Sequence, residues 1–284
     1  VSQAGLPDGV LNVVPSRGIS AGAALASHMN VDMLHFTGST QVGHQLMQYA
    51  GQSNGKPLML ELGGKSPQIV FEDSADLPNL GATLAQSAFY NSGQLCVAKT
   101  RLLVHENIKE QILASIKAET QQVFCIGNPL DEETTFGPIA SRRQFERVTS
   151  YLELGQQEGA DLQILATGGA IPLAQEARGY FMQPALFDNA KNTMRIAQEE
   201  IFGPVLSVIS FKTDDEAIQL ANDVSYGLAA TAWTQDLSRA RRLVRDLEVG
   251  NVEIRATTVP TARPWSLSEE PFGASGFGAV AGLR

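Results

Sequence analysis

Short apolar runs alternate with helically spaced apolar residues from one end of the chain to the other. Val10 to Val14 reads as a buried strand, and Met33 to Phe36, Leu58 to Leu62, Gln68 to Phe71, Arg101 to Val104, Val205 to Phe211 and Val252 to Ile254 read as further strands. Ala21 to His28, Gln41 to Ala50, Asn107 to Val123, the region of Tyr151, Asp214 to Asn222 and Leu237 to Leu247 read as helices. Leu77, Leu80, Leu84 and Ala88 also recur at helical spacing. Strands alternating with helices predict βαβ units, mostly parallel sheets and an α/β fold. The pattern changes after Arg255, where Thr257, Thr258, Pro260, Thr261 and Pro264 make a loop, and a Gly-rich segment from Phe272 to Gly278 follows. No flexible linker separates domains. The best boundary is the Gly63-Gly64 pair, which divides the chain into 1–64 and 65–284.

The chain has 284 residues, 43% of them hydrophobic and 18% charged, enough for one large or two moderate domains with real cores. A net charge of −9 argues against broad nucleic-acid binding, because phosphate backbones favour Lys and Arg. No apolar run approaches the roughly 18 residues that read as a membrane span, and no secretory signal opens the chain. Neither a membrane nor a nucleic acid is therefore an expected partner. Two cysteines, Cys96 and Cys125, are too few for a disulfide framework and favour a reducing, cytoplasmic setting. The chain opens at Val1 in mid-pattern, since Ala4 to Gly9 reads as the turn after a helix whose body is absent. An amino-terminal part is expected to be missing, with a processed product that begins here as the alternative.

Chemistry concentrates in a few segments. Cys96 closes Asn91-Ser92-Gly93-Gln94-Leu95-Cys96, between a helix and a strand. A thiolate is a strong nucleophile, and the upstream Gly lets the backbone turn tightly enough for amides to approach a substrate oxygen. A lone cysteine is more often a buried structural residue, and that is the reading for Cys125 among Val123, Phe124 and Ile126. Glu61 ends an apolar run ahead of Leu62-Gly63-Gly64-Lys65. It is placed to meet a ligand at a strand end, with partial burial raising its pKa toward that of a useful base; a surface Glu61 paired with Lys65 is the alternative. In Phe36-Thr37-Gly38-Ser39-Thr40-Gln41-Val42-Gly43, a glycine and hydroxyls lead into a helix. Such a start suits an anion, although Ser39 or Thr40 could simply cap the helix. Glu200 and Phe202, in Glu199-Glu200-Ile201-Phe202-Gly203-Pro204-Val205, could hold a ribose hydroxyl and pack on a flat ring, or form a turn with a core Phe.

Taken together and in this order, the segments Phe-Thr-Gly-Ser-Thr, Glu-Leu-Gly-Gly-Lys-Ser-Pro, Gly-Gln-x-Cys and Glu-Ile-Phe-Gly-Pro-Val resemble the hallmark segments of the aldehyde dehydrogenase superfamily. Cys96 follows Glu61 by 35 residues, as in that family, and Asn222, Tyr226-Gly227-Leu228 and Pro271-Phe272-Gly273 match further segments. The resemblance runs from Gly5 to about Gly278. It implies an oxidoreductase that turns an aldehyde into a carboxylate with NAD or NADP, through a thiohemiacetal and a thioester on Cys96, with Glu61 as general base. It also implies a Rossmann-like cofactor-domain portion followed by a doubly wound α/β catalytic domain. By position, Gly38, Ser39, Val42 and Gly43 fall in the pyrophosphate and adenine segment. Leu62 and Gly63 fall near the nicotinamide carboxamide, Glu200 at its ribose and Phe202 on its ring, and the Cys96 N–H gives one oxyanion donor. The base at Glu61 favours acid-forming rather than coenzyme-A-acylating chemistry. A full-length family member is expected to be a homo-oligomer acting on a small-molecule aldehyde, and no metal is needed.

Departures from the family pattern matter as well. Members are usually longer ahead of this start, where a second oxyanion donor and the adenosine-ribose contacts lie. Glu253-Ile254-Arg255 replaces Trp-x-Asn, and the segment from Phe272 to Gly276 is shorter than usual. A second reading is therefore a truncated, catalytically inactive homologue that acts as a binding or structural protein. His28, His35, His44 and His105 lack metal-ligand spacing, Arg239, Arg241, Arg242 and Arg245 read as a solvated helix face, and Trp265 is expected to shape the pocket mouth.

Overall fold

The computed structural model describes residues 2–16, 18–169, 179–258 and 271–278. The chain opens with α1 (Gly18–Ser27), β1 (Leu34–Thr37), α2 (Thr40–Gln52) and β2 (Leu58–Glu61). It continues through β3 (Pro67–Val70), α3 (Leu80–Phe89), β4 (Arg101–His105), α4 (Lys109–Val123), β5 (Cys125–Ile126), α5 (Arg142–Gln157), β6 (Asp161–Ile164) and β7 (Gly168–Gly169). The remainder is β8 (Ala185–Asp188), α6 (Arg195–Gln198), β9 (Val205–Phe211), α7 (Asp214–Asn222), β10 (Tyr226–Gly227), β11 (Ala229–Trp233), α8 (Leu237–Asp246), β12 (Asn251–Arg255), β13 (Phe272–Gly273) and β14 (Gly276–Phe277).

The strands sort into two main sheets. A small sheet has the order β1-β2-β14, with β1 parallel and β14 antiparallel to β2. A seven-stranded sheet has the order β12-β11-β3-β4-β9-β8-β6, parallel throughout except for β6 on β8. Side chains of the large sheet alternate between two cores. Leu102, Val104, Leu206 and Val208 face α3 and α4, with Leu84, Ile112 and Ile116. Leu103, Val205, Ile209 and Phe211 face α5, α7 and α8, with Val148, Ile218 and Leu243. Both faces are covered, so β4 and β9 read as nearly continuous apolar runs rather than alternating ones. This is a doubly wound α/β sheet. The small sheet has one covered face, where Leu34, Phe36, Leu58 and Leu60 pack with Ala26 and Leu46, while His35 and Thr37 stay exposed.

Helix starts follow the local sequence. Ser39, Ser141, Thr213 and Asp236 each accept a backbone N–H from the first turn of α2, α5, α7 and α8. At the far end of α7, the buried Arg101 guanidinium donates to the carbonyls of Leu220 and Ala221 at 2.7 Å each and to Asn192 Oδ1 at 3.0 Å. It thereby satisfies carbonyls that a helix end leaves open.

Several sequence expectations are corrected. Val10 to Val14 is not a strand. No strand lies beside it among the described residues, and Val10, Leu11, Val13 and Val14 are each more than half exposed. An apolar run becomes a strand only where a neighbour offers backbone partners. Conversely, β11 went unread because Ala229-Ala230-Thr231-Ala232 is helix-favouring in composition, yet it is buried between β12 and β3. Strands β6 and β8 were also missed. The arginines of α8 are not simply solvated: Arg239 pairs with Asp73 and Asp214 and lies over the Phe71 ring, while Arg242 pairs with Asp215. Trp265 and most of its loop fall outside the described residues. No helix among the described residues is long and apolar enough to cross a membrane, and no group of three His, Cys, Asp or Glu is placed to hold a metal ion.

Candidate active site

A cleft of about 1070 Å³ opens between the two main sheets. One wall comes from the carboxyl ends of β1 and β2, as Thr37 to Gln41 and Leu62. The other comes from segments that run into the amino ends of large-sheet strands. Gln94, Leu95 and Cys96 precede β4, Glu200 and Phe202 precede β9, and Tyr226 precedes β11. Ser141, Gln144 and Arg147 close the cleft from the first turns of α5. The rule that α/β ligands meet strand carboxyl ends therefore holds for the small sheet only.

The loop that carries Cys96 is built from backbone conformation. Asn91, Ser92 and Gly93 all have positive φ, at 52°, 55° and 69°. Three left-handed residues in a row turn the chain back toward β4. Ser92 Oγ donates to the Gly137 carbonyl at 2.7 Å, and Gln94 Oε1 accepts the Ala140 N–H at 2.8 Å. Gly64 lets the loop approach the glycine turn, since a Cβ there would lie 2.5 Å from the Cys96 carbonyl oxygen. Cys96 itself is half-buried. Burial pushes its thiol up, and the Glu200 carboxylate pushes the same way. The backbone N–H groups of Val97 and Cys96 pull it down, and Glu61 adds a smaller upward push. Backbone amides thus already point at the sulfur, but the acidic surroundings favour the thiol form. Removing the Glu200 charge should release part of this. In a Cys125→Ser background, Glu200→Gln is expected to raise the rate of Cys96 alkylation by iodoacetamide several-fold at mildly alkaline pH, read by mass spectrometry. An unchanged or slower rate would refute the coupling.

Two adjacent acids serve different ends. Arg195 holds the Glu199 carboxylate through two hydrogen bonds, at 2.7 and 3.1 Å, and the Tyr151 hydroxyl donates to it as well. Those bonds, Arg195 foremost, keep Glu199 below the usual carboxylate range. Glu200 points into the cleft instead. Its Oε1 accepts the Gly64 N–H at 3.1 Å, and burial pushes its pKa up against the downward pull of that N–H, Lys65 and Arg147. A Cβ at Gly63 would sit 2.6 Å from its other oxygen. Gly63 therefore gives Glu200 its place. Phe202 has φ at 59°, an unusual conformation for an aromatic residue. Gln144 Nε2 fixes it by donating to the carbonyls of Ile201 and Phe202 at 2.9 Å each. Arg147 donates to the Glu200 carbonyl at 2.7 Å.

Of the residues singled out from sequence, Cys96, Gly38, Ser39, Leu62, Glu200 and Phe202 line one cleft. Gly63 adjoins it through Glu200. Ser39 lines it while its hydroxyl also caps α2, accepting the Val42 N–H at 3.4 Å. Gly43 is buried against Leu62, and Val42 is exposed outside the lining. Glu61 sits half-buried at the end of β2, opposite Thr37 and Gly276 in register, and is not part of the lining. Lys65 is not a surface partner for Glu61 but a buried side chain, 1% exposed. Cys125 is half-buried on β5 rather than enclosed.

A profile of the aldehyde dehydrogenase family matches residues 1–283. The chain belongs to that family. It is 44% identical over 284 residues to aldehyde dehydrogenase 1 of Tanacetum cinerariifolium, covering 99% of this chain and 54% of that protein. It is 43% identical over 273 residues to a mitochondrial aldehyde dehydrogenase of Rattus norvegicus, covering 96% and 50%. The structure resembles that of an indole-3-acetaldehyde dehydrogenase complexed with NAD+, with a TM-score of 0.90, 44% identity and coverage of 98% of this chain and 55% of that one. It also resembles betaine aldehyde dehydrogenase of Staphylococcus aureus in complex with NAD+, with a TM-score of 0.88, 32% identity and coverage of 99% and 54%. The chain thus spans about half the length of the relatives it matches.

Sequence reasoning passed over Gln144 and Arg147 as parts of this cleft, and read Tyr226 only as part of a matching segment. On a helical wheel the first two look like an ordinary polar face. Only the closure of α5 over the Glu200 turn gives them a task.

Proposed function

We propose that this chain carries the catalytic cleft of an NAD(P)-dependent aldehyde dehydrogenase that oxidises an aldehyde to a carboxylate. The observation that carries this reading is the convergence of Cys96, Glu200, Phe202 and the capped start of α2 on one cleft. The division into a partial NAD(P)-binding unit, 1–64, and a catalytic unit, 65–284, belongs to the same reading. The change of sheet between Glu61 and Pro67 supports it, while β14 returns to the first sheet. A cytoplasmic setting suits a free thiol nucleophile; named relatives include cytosolic and mitochondrial proteins.

The residues fit a dinucleotide. Gly38, Ser39 and the first N–H groups of α2 offer donors to a pyrophosphate, with Val42 and Gly43 on the same turn. Glu200 offers an acceptor to a ribose hydroxyl, and Leu62, Gly63 and Phe202 shape the place for the ring. When bound, the nicotinamide supplies the two-electron acceptor that turns a thiohemiacetal into a thioester. The rest falls to the chain. Cys96 loses its thiol proton to solvent, its sulfur attacks the aldehyde carbon, and the carbonyl electron pair moves to oxygen, toward the N–H of Cys96. For hydrolysis, Glu61 takes a proton from water as the water oxygen attacks the thioester carbon. The C–S bond then breaks, leaving the Cys96 thiolate and the carboxylic acid, which loses its remaining proton to solvent to become the carboxylate.

The test is nicotinamide absorbance with this chain, a panel of aldehydes, and NAD+ or NADP+ in turn. Steady aldehyde-dependent reduction is expected and would identify the preferred nucleotide. A folded chain with neither turnover nor nucleotide binding would overturn the reading in favour of an inactive homologue.

A further inference from the structure

The hairpin of β13 and β14 ties together segments from both walls of the cleft. On one side Gly273 and Phe272 pair with Tyr226 and Gly227, which run into β11 of the large sheet. On the other, Gly276 and Phe277 pair with Glu61 and Leu60 of the small sheet. Ala274 and Ser275 join the two strands, and each of them bonds both ways. Ala274 N–H donates to the Ser225 carbonyl at 2.8 Å, and its carbonyl accepts the Thr40 hydroxyl at 3.2 Å. The Ser275 carbonyl accepts the Leu62 N–H at 2.9 Å, and its Oγ accepts the Gly227 N–H at 3.0 Å. Thr40 and Leu62 line the small-sheet wall of the cleft, and Tyr226 lines the opposite one. The hairpin is wedged closely on both sides. A Cβ at Gly273 would lie 2.5 Å from the Ser225 carbonyl oxygen, and one at Gly276 would overlap the Leu60 carbonyl oxygen.

Ser275 is fully buried. A hydroxyl taken out of water costs free energy unless it is bonded, so alanine would serve there if packing were the whole demand. What the hydroxyl adds is an acceptor for the buried Gly227 amide, which would otherwise be left open. We infer that Ser275 is a positioning residue for the cleft: its carbonyl fixes Leu62 on one wall, and its hydroxyl fixes the chain beside Tyr226 on the other. One residue outside the cleft lining thereby sets the separation of the two walls. The consequence for the reaction rests on the proposed function. Leu62 and Gly63 shape the ring site from the small-sheet wall, and Cys96 holds the substrate on the opposite one. Groups carried on separate walls keep a reactive alignment only while the walls keep theirs. Thr40 strengthens the same link. Besides donating to Ala274, its oxygen accepts the Gly63 N–H at 3.4 Å, so the hairpin, the glycine turn and the start of α2 are joined through one hydroxyl.

The experiment is native-state amide hydrogen exchange, read residue by residue by NMR, together with NAD+ calorimetry. In the parent, the Leu62 and Gly227 amides should open together, with protection factors that agree within about tenfold and lie below those of β4 and β9. In Ser275→Ala, Gly227 loses its acceptor, so the deciding amide is Leu62, whose acceptor is the retained carbonyl. Leu62 is expected to lose protection by at least about fivefold, whereas a role confined to the Gly227 amide would leave it unmoved. NAD+ should bind Ser275→Ala several-fold more weakly, while iodoacetamide alkylates Cys96 at the parent rate. Loss of both in equal measure would mark general damage and overturn the inference. Unequal protection of Leu62 and Gly227 in the parent would overturn it even if Ser275→Ala failed to fold, and so would parent-like NAD+ affinity in a folded Ser275→Ala. A parent with the paired protection that binds no NAD+ would overturn the nucleotide reading of the cleft and support the link between its walls.

Discussion

Serine in place of Cys96 is expected to remove aldehyde-dependent nicotinamide reduction by this family member, by at least about 10⁴-fold. The substitution keeps the shape of the loop and changes only the attacking atom. A serine hydroxyl ionises far less readily than a thiol, and a half-buried site disfavours its alkoxide further. Burial and then Glu200 already push the Cys96 thiol up, and the two backbone N–H groups that pull it down cannot bring an alkoxide into range. Iodoacetamide labelling of the cleft should vanish in the same variant while labelling at Cys125 persists. Turnover in the serine variant comparable with the parent would remove Cys96 from the mechanism, whatever else lines the cleft.

Alanine in place of Gly93 should damage both the loop and the fold. Its φ of 69° lies where L-residues are strained, and an added Cβ would overlap the Gly203 carbonyl oxygen. Gly203 in turn abuts Val148 of the α5 core, so there is no free direction of retreat. Strain and overpacking together should cost about 2–5 kcal/mol. For a chain of this size that is a fall in Tm of roughly 5–15 °C. Nucleophile alkylation should change as well, because the displaced segment carries Cys96. Gly51 provides the contrast. It lies in α2 with ordinary φ and open space around its missing Cβ. Gly51→Ala should therefore stabilise by about 0.5–1 kcal/mol. A Gly93→Ala variant that melts with the parent would show that the left-handed turn relaxes freely.

The chemistry was more legible in the sequence than the frame that holds it. Cys96, Glu200 and Phe202 sit in short segments singled out from sequence, and the fold brings them to one cleft. The large-sheet strands β4 and β9 announce themselves because burial on both faces demands continuous apolar runs. What escaped were features that only tertiary context creates. Strand β11 is rich in alanine, and its place between β12 and β3 makes it a strand. Strands β10, β13 and β14 are pairs of residues whose pairing depends on backbone geometry at glycine, with Gly273 at φ 56° and Gly276 at 121°. Val10 to Val14 shows the opposite failure, an apolar run without a neighbouring strand among the described residues. Lys65 was legible as a lysine beside a glycine turn, but its burial was not, because charge in a sequence says nothing of depth.

The pairing of β14 with β2 has a consequence for the order of events during folding. Glu61 and Leu60 complete their hydrogen bonding with Gly276 and Phe277, at the other end of the described chain. Every βαβ unit of the large sheet lies between those partners, so their contact closes one of the longest loops available. Such closures come late, since the entropy they spend is recovered only after local structure exists. The large sheet should therefore assemble first, with the small sheet and the α2 start sealed afterwards. During synthesis, the segment carrying Ser39 and Glu61 would emerge before β14 and wait for it. Hydrogen-exchange pulse labelling should then find amides of β2 protected later than those of β4 and β9, so that the cleft is the last part of the molecule to become whole.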